Sequence, residues 1–554
     1  MRIKKRTTIL MLGTAQFVMV LDSTVMNVSI SQVVKDLDST VTQLQAAITC
    51  YTLVMAAFML TGAKLGDIWG LRRAFAIGLG VYGIGSLITA LSPNITVLFI
   101  GWSGIEGLGA VLVIPAIAAL TAANYEGTER ALAFALLGGI AGAGAAAGPL
   151  IGGFVTTELS WRVVFAAETV VVVAILFFVK KINDRTDPVP KTKLDRVGAA
   201  LSALGMGLTV FGILKISSWG LLKPTGALTI NGTRITPFGL SIVPFVIMAG
   251  LVVLGTFSRW EQHLERFARA PLLRSDLLKI SQMRAGLTSV MSQYLILAGT
   301  FFVLPLYLQL VLGKDALQTG LKILPISVAM VIAALVGPGL AARMSPRRVV
   351  QIGMGILLVS ILGIMGTISP DLNDGAFAVS MAGFGAGIGL TISQLGNVVM
   401  SSVSEKRSSE AGGVQGVAQN LGQSLGTALI GAVLLTGLTS GFHSAIQSSD
   451  AIPANVKQQI VEGSQQGVQM VSKSQAEATA KKAGLPPDQV NAVVDVYSDA
   501  QIQALKGALL VASSFVLVGL WFARRLPNRP LAKEGLAAQP PPAAPPEPVP
   551  LTPA

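Results

Sequence analysis

The sequence is poor in the side chains from which redox centres, metal sites and covalent catalytic sites are built. It holds one cysteine, Cys50, and two histidines, His263 and His443, among 554 residues. A single cysteine excludes an internal disulfide framework and a thiolate metal cluster. The chain also has no Gly-x4-Gly-Lys-Ser/Thr loop to cradle phosphates, and no recognisable set of nucleophile, base and orienting group. We therefore expect no enzyme, no nucleotide-driven pump, no metal and no cofactor.

Charged residues are also scarce, and apolar residues are correspondingly abundant. Only 12% of the residues are charged and 52% are hydrophobic, whereas about a quarter of a soluble domain is charged. Fourteen apolar runs are long enough to cross about 30 Å of hydrocarbon, at residues 7–30, 45–65, 74–91, 96–122, 131–155, 163–179, 197–216, 237–257, 285–312, 320–342, 349–368, 376–400, 411–437 and 507–522. These runs predict an all-α integral membrane protein with fourteen transmembrane helices, in contact with the lipid bilayer.

The net charge of +13 has a topological explanation. Most of the 41 lysines and arginines lie in segments that are cytoplasmic if the N-terminus is inside. This is the bias of the positive-inside rule. We therefore expect a multi-pass protein of a bacterial plasma membrane, with both termini cytoplasmic and no nucleic-acid partner.

The fifth apolar run contains a glycine-rich segment. Small residues let two helices approach closely inside a bilayer, and proline bends a helix. The segment predicts a helix that moves during function, with an ordinary packing helix as the alternative. Its motif residues are Gly139, Gly144, Gly148, Pro149, Gly152 and Gly153.

A second motif joins the second and third runs. Its glycines allow a tight turn, its aspartate can pair with arginine or cap a helix, and its arginines favour the cytoplasmic side. We interpret it as a cytoplasmic latch, with a generic basic loop as the alternative. The residues are Leu65, Gly66, Asp67, Gly70, Arg72 and Arg73.

Three carboxylic acids stand inside apolar runs: Asp22, Glu106 and Glu168. A charged side chain at mid-membrane costs about 2.5 to 3.5 kcal/mol on insertion scales, so such groups commonly have a function. We expect Asp22 and Glu106 to take up a proton or pair with a substrate cation, with Glu168, Asn27 and Ser103 as further possible participants. The alternative for each acid is a hydrogen-bonded structural role. The spacing of Ser103, Glu106 and Ala110 predicts one shared helix face.

Several of these motifs resemble one family. Residues 21–28 read Leu-Asp-Ser-Thr-Val-Met-Asn-Val, which is similar to a stretch of the fourteen-helix drug:proton antiporters of the major facilitator superfamily. The glycine-rich segment resembles the fifth-helix antiporter motif of that superfamily. The latch resembles its loop signature, although Ala63, Ile68 and Leu71 replace a usual glycine and two arginines.

Two acids depart from the family pattern. Relatives commonly carry Arg-x-x-Gln-Gly in the fourth helix, where this chain has Ser103-Gly-Ile-Glu-Gly107 and thus no arginine. We expect Glu106 to replace the arginine in proton handling. Glu168 stands where relatives often have asparagine, on a helix that the fold usually places at the periphery.

The resemblance implies two six-helix bundles plus an inserted helix pair. The expected domains are an N-terminal bundle at 1–180, an inserted pair with an extracellular β-hairpin and a cytoplasmic linker at 181–284, a C-terminal bundle at 285–523 and a disordered tail at 524–554. The hairpin is indicated by alternation around Asn231-Gly232. Residues 440–503 have helical spacing of apolar residues and predict an amphipathic helical hairpin outside the membrane, acting as a lid or a docking surface.

The function that the resemblance implies is proton-coupled efflux of amphipathic or cationic drugs by a monomer, driven by the proton gradient. The substrate cavity is expected at Tyr307, Gln309, Gln293 and Gln419. Export of one endogenous metabolite or lipid is the alternative within this class. A membrane-embedded enzyme and a non-transporting receptor are alternatives outside it.

Overall fold

The structure confirms the all-α membrane architecture. It is a computed structural model that describes residues 2–125, 127–182, 194–224, 229–230, 233–267, 271–341, 343–403, 408–449, 452–464 and 467–528. Within these residues, fourteen helices are long and apolar enough to cross a membrane, as the apolar runs predict. The chain is therefore a multi-pass membrane protein. Most of the predicted tail, from residue 529 onward, lies outside the described residues.

The N-terminal group contains six spans, and the fourth is irregular. Its helix α5 continues without a break through a π-helical segment into α6, and Glu106 is the last residue of that segment. A π-helix closes its hydrogen bonds five residues apart and is rare outside functional sites. The elements are α1 (Arg2–Val28), α2 (Ile30–Asp36), α3 (Val41–Trp69), α4 (Leu71–Ala90), α5 (Ile95–Leu98), the first π-segment (Phe99–Glu106), α6 (Gly107–Asn124), α7 (Gly127–Glu158) and α8 (Trp161–Phe178), then a 3-10 turn at Val179–Lys181.

The inserted pair consists of two spans that pack against each other. Between them, Ile230 pairs with Thr233 in an antiparallel ladder, which confirms the predicted β-hairpin. The turn residues 231–232 lie outside the described residues. The elements are α9 (Arg196–Leu214), α10 (Ile216–Trp219), β1 (Thr229–Ile230), β2 (Thr233–Arg234), a 3-10 turn (Pro237–Gly239), α11 (Val243–Arg266) and α12 (Ser275–Lys279).

The C-terminal group supplies the other six spans and a second π-segment. Its elements are α13 (Ser281–Leu306), the second π-segment (Tyr307–Val311), α14 (Ala316–Ala341), α15 (Pro346–Thr367), α16 (Asp374–Met400), α17 (Ser408–Ser448), α18 (Ala454–Gly463), α19 (Lys473–Lys482) and α20 (Pro487–Ala523).

The segment 440–503 is largely helical with a break before Pro487, and its two ends are continuous with membrane spans. Helix α17 continues to Ser448, and α20 begins at Pro487 and runs directly into the last span, which was expected to start only at residue 507. Pro487 suits the first turn of a helix, and no proline or other strong breaker follows it to stop the helix before the membrane. Between these two long helices, α18 and α19 are separate short helices.

The helices of each group pack mainly with one another. In the N-terminal group α1 packs on α7, and α4 packs on α6 and α8; in the C-terminal group α13 packs on α17 and α20, and α14 packs on α16. The groups meet mainly through two helix pairs, α7 with α14 and α3 with α17, and α9 of the inserted pair lies against α3 and α17. The interface between the groups is therefore built from α3, α7, α14 and α17.

Candidate functional site

The three membrane acids meet in one buried cluster. Asp22 on α1, Glu106 on the first π-segment and Glu168 on α8 each offer a carboxylate oxygen within 4.8 Å of the other two. Their exposed fractions are 0%, 0% and 2%. We call this group the carboxylate triad. The sequence predicts roles for Asp22 and Glu106 and names Glu168 as a possible participant; the structure brings Glu168 to them, because it faces inward although much of α8 faces outward.

Asp22 accepts hydrogen bonds from an aromatic side chain of the fourth span. The indole Nε1 of Trp102 donates to both carboxylate oxygens of Asp22, at 2.9 and 3.2 Å. The indole ring is stacked on Tyr51 of α3, with centroids 4.7 Å apart and planes 7° apart. Because both rings are almost fully buried, the indole is fixed and its N–H is aimed at Asp22.

Glu168 is held by two hydroxyl groups of α4. Ser86 Oγ donates to Glu168 Oε2 at 3.2 Å, and the Tyr82 hydroxyl donates to the same oxygen at 3.4 Å. The other oxygen of Glu168 is buried without a hydrogen-bond partner. Helix α4 thus positions one oxygen of Glu168 and leaves the second without a hydrogen-bond partner.

Glu106 has the fewest hydrogen bonds of the three acids. Both of its carboxylate oxygens are buried and have no hydrogen-bond partner. Its backbone is packed so closely on Gly85 of α4 that a Cβ at Gly85 would lie 2.6 Å from the Glu106 Cβ. Only glycine fits there, so this contact fixes the depth of Glu106 in the bundle.

Neither Asp22 nor Glu106 has a basic residue close to it in the sequence. No lysine or arginine occurs at positions 7–34, which include the Asp22 stretch, or at 74–129, which include the Glu106 stretch. Two full negative charges 4.8 Å apart repel by about 3.5 kcal/mol at an effective dielectric of about 20. The site therefore favours states in which protons or a bound cation neutralise part of this charge. Oxygen ligands of this kind suit protons, organic cations or hard metal ions.

The expected single face of Ser103, Glu106 and Ala110 does not form. Ser103 donates its hydroxyl to the Ala47 carbonyl of α3 at 2.8 Å, whereas Glu106 faces α1 and α8. The π-helical winding adds residues to the turn and breaks the spacing of an ordinary α-helix. Asn27, the other possible participant, donates to the Ser23 carbonyl within its own helix at 2.8 Å.

The glycine-rich motif packs directly on the part of α1 that carries Asp22. A Cβ at Gly144 would touch Val20 at 3.3 Å, and a Cβ at Gly152 would meet Val25 at 2.8 Å. Between them, a Cβ at Gly148 would overlap the side chain of Thr24. Three glycines one turn apart thus line the α7 face against α1. Gly139, by contrast, has open space around it.

The same motif also contacts the other helix group. Gly153 packs on the Ala316 backbone of α14, and the Pro149 carbonyl packs on Gly320 of α14. Helix α7 therefore lies between the helix that bears Asp22 and a helix of the C-terminal group. A shift of α7 would therefore change its packing against both α1 and α14.

Hydrogen bonds hold the two groups together at the end of the bundle where α1 terminates. Gln309, on the second π-segment, donates to the Val28 carbonyl at 2.6 Å and accepts from the Ser31 N–H at 3.2 Å. Nearby, the Leu317 N–H donates to the Thr157 hydroxyl at 3.1 Å. Gln309, expected in a substrate cavity, here bridges the groups.

The other residues expected to line a substrate cavity do not surround a common space. Gln293 donates to the Ile388 carbonyl at 3.4 Å, and the Tyr307 hydroxyl donates to the Ser369 carbonyl at 2.8 Å. Gln419 is half-buried on α17. None of these side chains lines the cavity of about 480 Å³ found among the described residues at the opposite end of the bundle.

The latch motif lies at that cavity and is largely helical. Leu65, Gly66 and Asp67 belong to α3, and the turn to α4 consists of Gly70 alone, at φ 91°. Asp67 lines the cavity together with Lys64 and Glu410 of α17. Arg72 donates to the Ile182 carbonyl after α8 at 3.2 Å, whereas Arg73 is exposed. The motif thus ties α3 and α4 to the ends of neighbouring spans.

Sequence reasoning missed Trp102, Tyr51, Tyr82 and Ser86. The chain has only six tyrosines and six tryptophans, and buried tyrosine and tryptophan normally need a hydrogen-bond partner. Polar aromatic residues inside apolar runs were therefore a usable signal. Their partner could not have been named, because it depends on how α1, α4 and α8 pack.

Comparisons with known proteins agree with this architecture. Residues 12–427 match the family model described as Major Facilitator Superfamily. The cephamycin export protein CmcT of Amycolatopsis lactamdurans is 31% identical over 63% of this chain and 69% of its own length. The methyl viologen resistance protein SmvA of Salmonella typhimurium is 26% identical over 91% of this chain and 94% of its own length.

Solved structures show the same fold. An inward-facing bacterial homologue of the human lysosomal transporter Spinster aligns with a TM-score of 0.56 at 13% identity, covering 94% of this chain and 98% of that one. The family match extends over most of the chain, and the family consists of transporters rather than enzymes. The chain is a member of the Major Facilitator Superfamily.

Proposed function

We propose that this protein exports lipophilic organic cations across the bacterial plasma membrane in exchange for protons, and that protons and cation compete for the carboxylate triad. The observation that carries the proposal is the meeting of three buried carboxylates within 4.8 Å in the N-terminal group. A buried anionic site without a basic neighbour binds cations, and a proton is the cation that a membrane gradient supplies most generally.

Packing supports a link between this site and alternating access. Helix α7 contacts the Asp22 stretch of α1 through Gly144, Gly148 and Gly152, and contacts α14 through Pro149 and Gly153. Occupation of the triad can therefore bias the position of α7 between the two helix groups. Differential binding to two such arrangements is what converts a gradient into transport.

The interface between the two helix groups is joined at one end and has a cavity at the other, as expected for a transporter that is open to one side of the membrane. With both termini cytoplasmic, the end of α1 is extracellular, and there the groups are joined by Gln309 and Thr157. The cavity at the latch would then open toward the cytoplasm. Export begins from such an arrangement.

The relatives support export as the direction. Their names describe export of cephamycin and resistance to methyl viologen, a cation. Names such as cephamycin export protein and probable actinorhodin transporter favour one second candidate, export of a single endogenous metabolite. Competition among unrelated cations for transport supports the broad exporter, and its absence supports the dedicated one.

The test measures how much organic cation the purified, reconstituted protein accumulates inside liposomes under an imposed pH gradient. Methyl viologen and N-methyl-phenylpyridinium are the cationic probes, biphenyl sulfonate is an anion of similar size, and a sodium gradient replaces the pH gradient in a control. We expect the pH gradient to drive both cations but not the anion. Equal accumulation with sodium, or equal transport of the anion, would contradict the proposal.

A further inference from the structure

We propose that the carboxylate triad stores two protons and releases as many protons as the bound cation has positive charges. This inference rests on the proposed function, since it assigns a proton count to the same site. It differs from exchange at one acid, which can return only one proton whatever the charge of the substrate.

The hydrogen bonds assign different roles to the three acids. Asp22 receives the indole N–H of Trp102 on both oxygens, which suits an ionised, acceptor-only carboxylate. Glu106 is fully buried and neither of its oxygens has a partner. A protonated carboxyl at Glu106 can donate its O–H to the acids beside it, whereas an ionised one would be a buried charge next to two other carboxylates.

Glu168 is the second acid that suits a proton. One of its oxygens accepts from Ser86 and Tyr82, and the other is buried without a partner. Two protons on Glu106 and Glu168 leave one negative charge, on Asp22, where the indole N–H stabilises it. The proton-loaded triad thus has a net charge of minus one.

The groups that face the triad supply no competing charge. The titratable neighbours are Tyr51 of α3 and Tyr82 of α4, which are neutral phenols. The basic residue of α8, Arg162, lies in the first turn of that helix and is engaged elsewhere, since it donates to the Ser92 carbonyl and pairs with Asp36 at 3.6 Å. Charge at the triad is therefore balanced by protons and bound cation alone.

Balance of charge then sets the proton count. A monocation that displaces one proton, or a dication that displaces two, leaves the net charge at minus one in either case. The displaced protons leave from the Glu106 and Glu168 carboxyls, whose oxygens then face the cation. The site consequently accepts cations with one or two charges as substrates.

The experiment compares two cations of similar shape and different charge. N-methyl-phenylpyridinium carries one charge and methyl viologen two. Liposomes with the purified protein receive a tenfold proton gradient while potassium and valinomycin hold the membrane voltage at zero. At equilibrium we expect about a tenfold gradient of the monocation and about a hundredfold gradient of the dication.

Two substitutions sharpen the count. In Glu168→Gln the dication gradient should fall to about tenfold, while the monocation gradient stays about tenfold. Glu261→Gln is the matched control, because Glu261 is a buried glutamate of α11 outside the triad, and its variant should behave as wild type. A dication gradient of about tenfold in the wild type, or one of about a hundredfold in Glu168→Gln, would overturn the inference.

A measurement without substrate tests the proton count independently of transport, in case a variant folds poorly or a cation is not transported. Infrared difference spectra at neutral pH, wild type minus variant, should show the carbonyl stretch of one buried protonated carboxyl lost in Glu106→Gln and of another lost in Glu168→Gln. A single such carboxyl overturns the two-proton store even where coupled transport is intact. Absence of pH-driven transport of either cation, with two carboxyls present, contradicts the proposed function instead.

Discussion

At the residue scale, the central feature is the hydrogen bonding of the Asp22 carboxylate by the indole of Trp102. Asp22 is fully buried, and the Trp102 N–H stabilises its ionised form. The other two acids lie within 4.8 Å, so the charge on each acid affects proton binding at the other two. Transport and proton binding should therefore depend on each acid in a distinguishable way.

Substitution of Asp22 by asparagine should abolish pH-driven accumulation of methyl viologen. The amide keeps the shape of the side chain but removes the negative charge that Asp22 contributes to cation binding at the triad. Accumulation in liposomes is the measurement, with membrane insertion and monodispersity checked alongside. Glu261→Gln is the control, and undiminished accumulation by Asp22→Asn at equal protein content would refute the role.

Substitution of Glu106 by glutamine should change the pH dependence of transport, because one of the interacting acids no longer titrates. The rate of cation export is measured across a range of pH at a constant pH difference. An identical pH profile in wild type and variant would leave Glu106 with a packing role only.

Sequence predicts part of this site. Asp22 and Glu106 are visible as acids in apolar runs, and a single carboxylate in hydrocarbon already suggests function. The meeting of Glu168 with them is not visible, because it depends on the packing of α8 against α1 and α4. The π-helical turn before Glu106 has no marker in the sequence, so the spacing rule for an α-helix gave the wrong face for Ser103.

At the scale of elements, α7 is the part most closely connected to both the triad and the interface. Its glycines allow backbone contact with α1, and its Pro149 region touches α14. Prediction of the spans was reliable because long apolar runs are forced into helices by the bilayer. Their ends were less predictable, as α17 and α20 show, because a helix continues beyond the membrane wherever its packing continues.

Substitution of Gly148 by valine should slow export strongly, because the new side chain would overlap Thr24 beside Asp22. Gly139→Val is the matched control on the same helix, since Gly139 has open space around it and should tolerate the change. Turnover in liposomes is compared at equal protein content. Similar rates for the two variants would mean that close packing of α7 on α1 is not needed for the cycle.

At the scale of the whole molecule, two helix groups meet through α3, α7, α14 and α17, with the inserted pair lying on α3 and α17. The resemblance to a known family predicts this arrangement, whereas composition alone predicts only a membrane protein. The short helices α18 and α19 pack against α17 and α20 of the C-terminal group, respectively. The Tyr497 hydroxyl of α20 fastens the chain between them, accepting from the Val471 N–H at 2.8 Å and donating to the Gln469 carbonyl at 2.9 Å.

Replacement of residues 449–486 by a short Gly/Ser linker should leave transport in liposomes unchanged, because α17 and α20 keep their own packing. This is the expectation for a docking surface, and the deletion should then impair export only in cells. Tyr497→Phe, which removes only the hydroxyl that fastens the segment, is the milder companion variant. A changed rate or substrate range in liposomes would identify the segment as a lid.

The most direct test of the account is whether movement of a cation alone moves protons through the triad. Liposomes are loaded with methyl viologen, with no initial pH difference and with the voltage held at zero, and the internal pH is followed as the cation leaves. We predict acidification of the interior by wild type and Glu261→Gln, and none by Asp22→Asn or with biphenyl sulfonate. No acidification by the wild type, or equal acidification by Asp22→Asn, would contradict proton exchange at the triad.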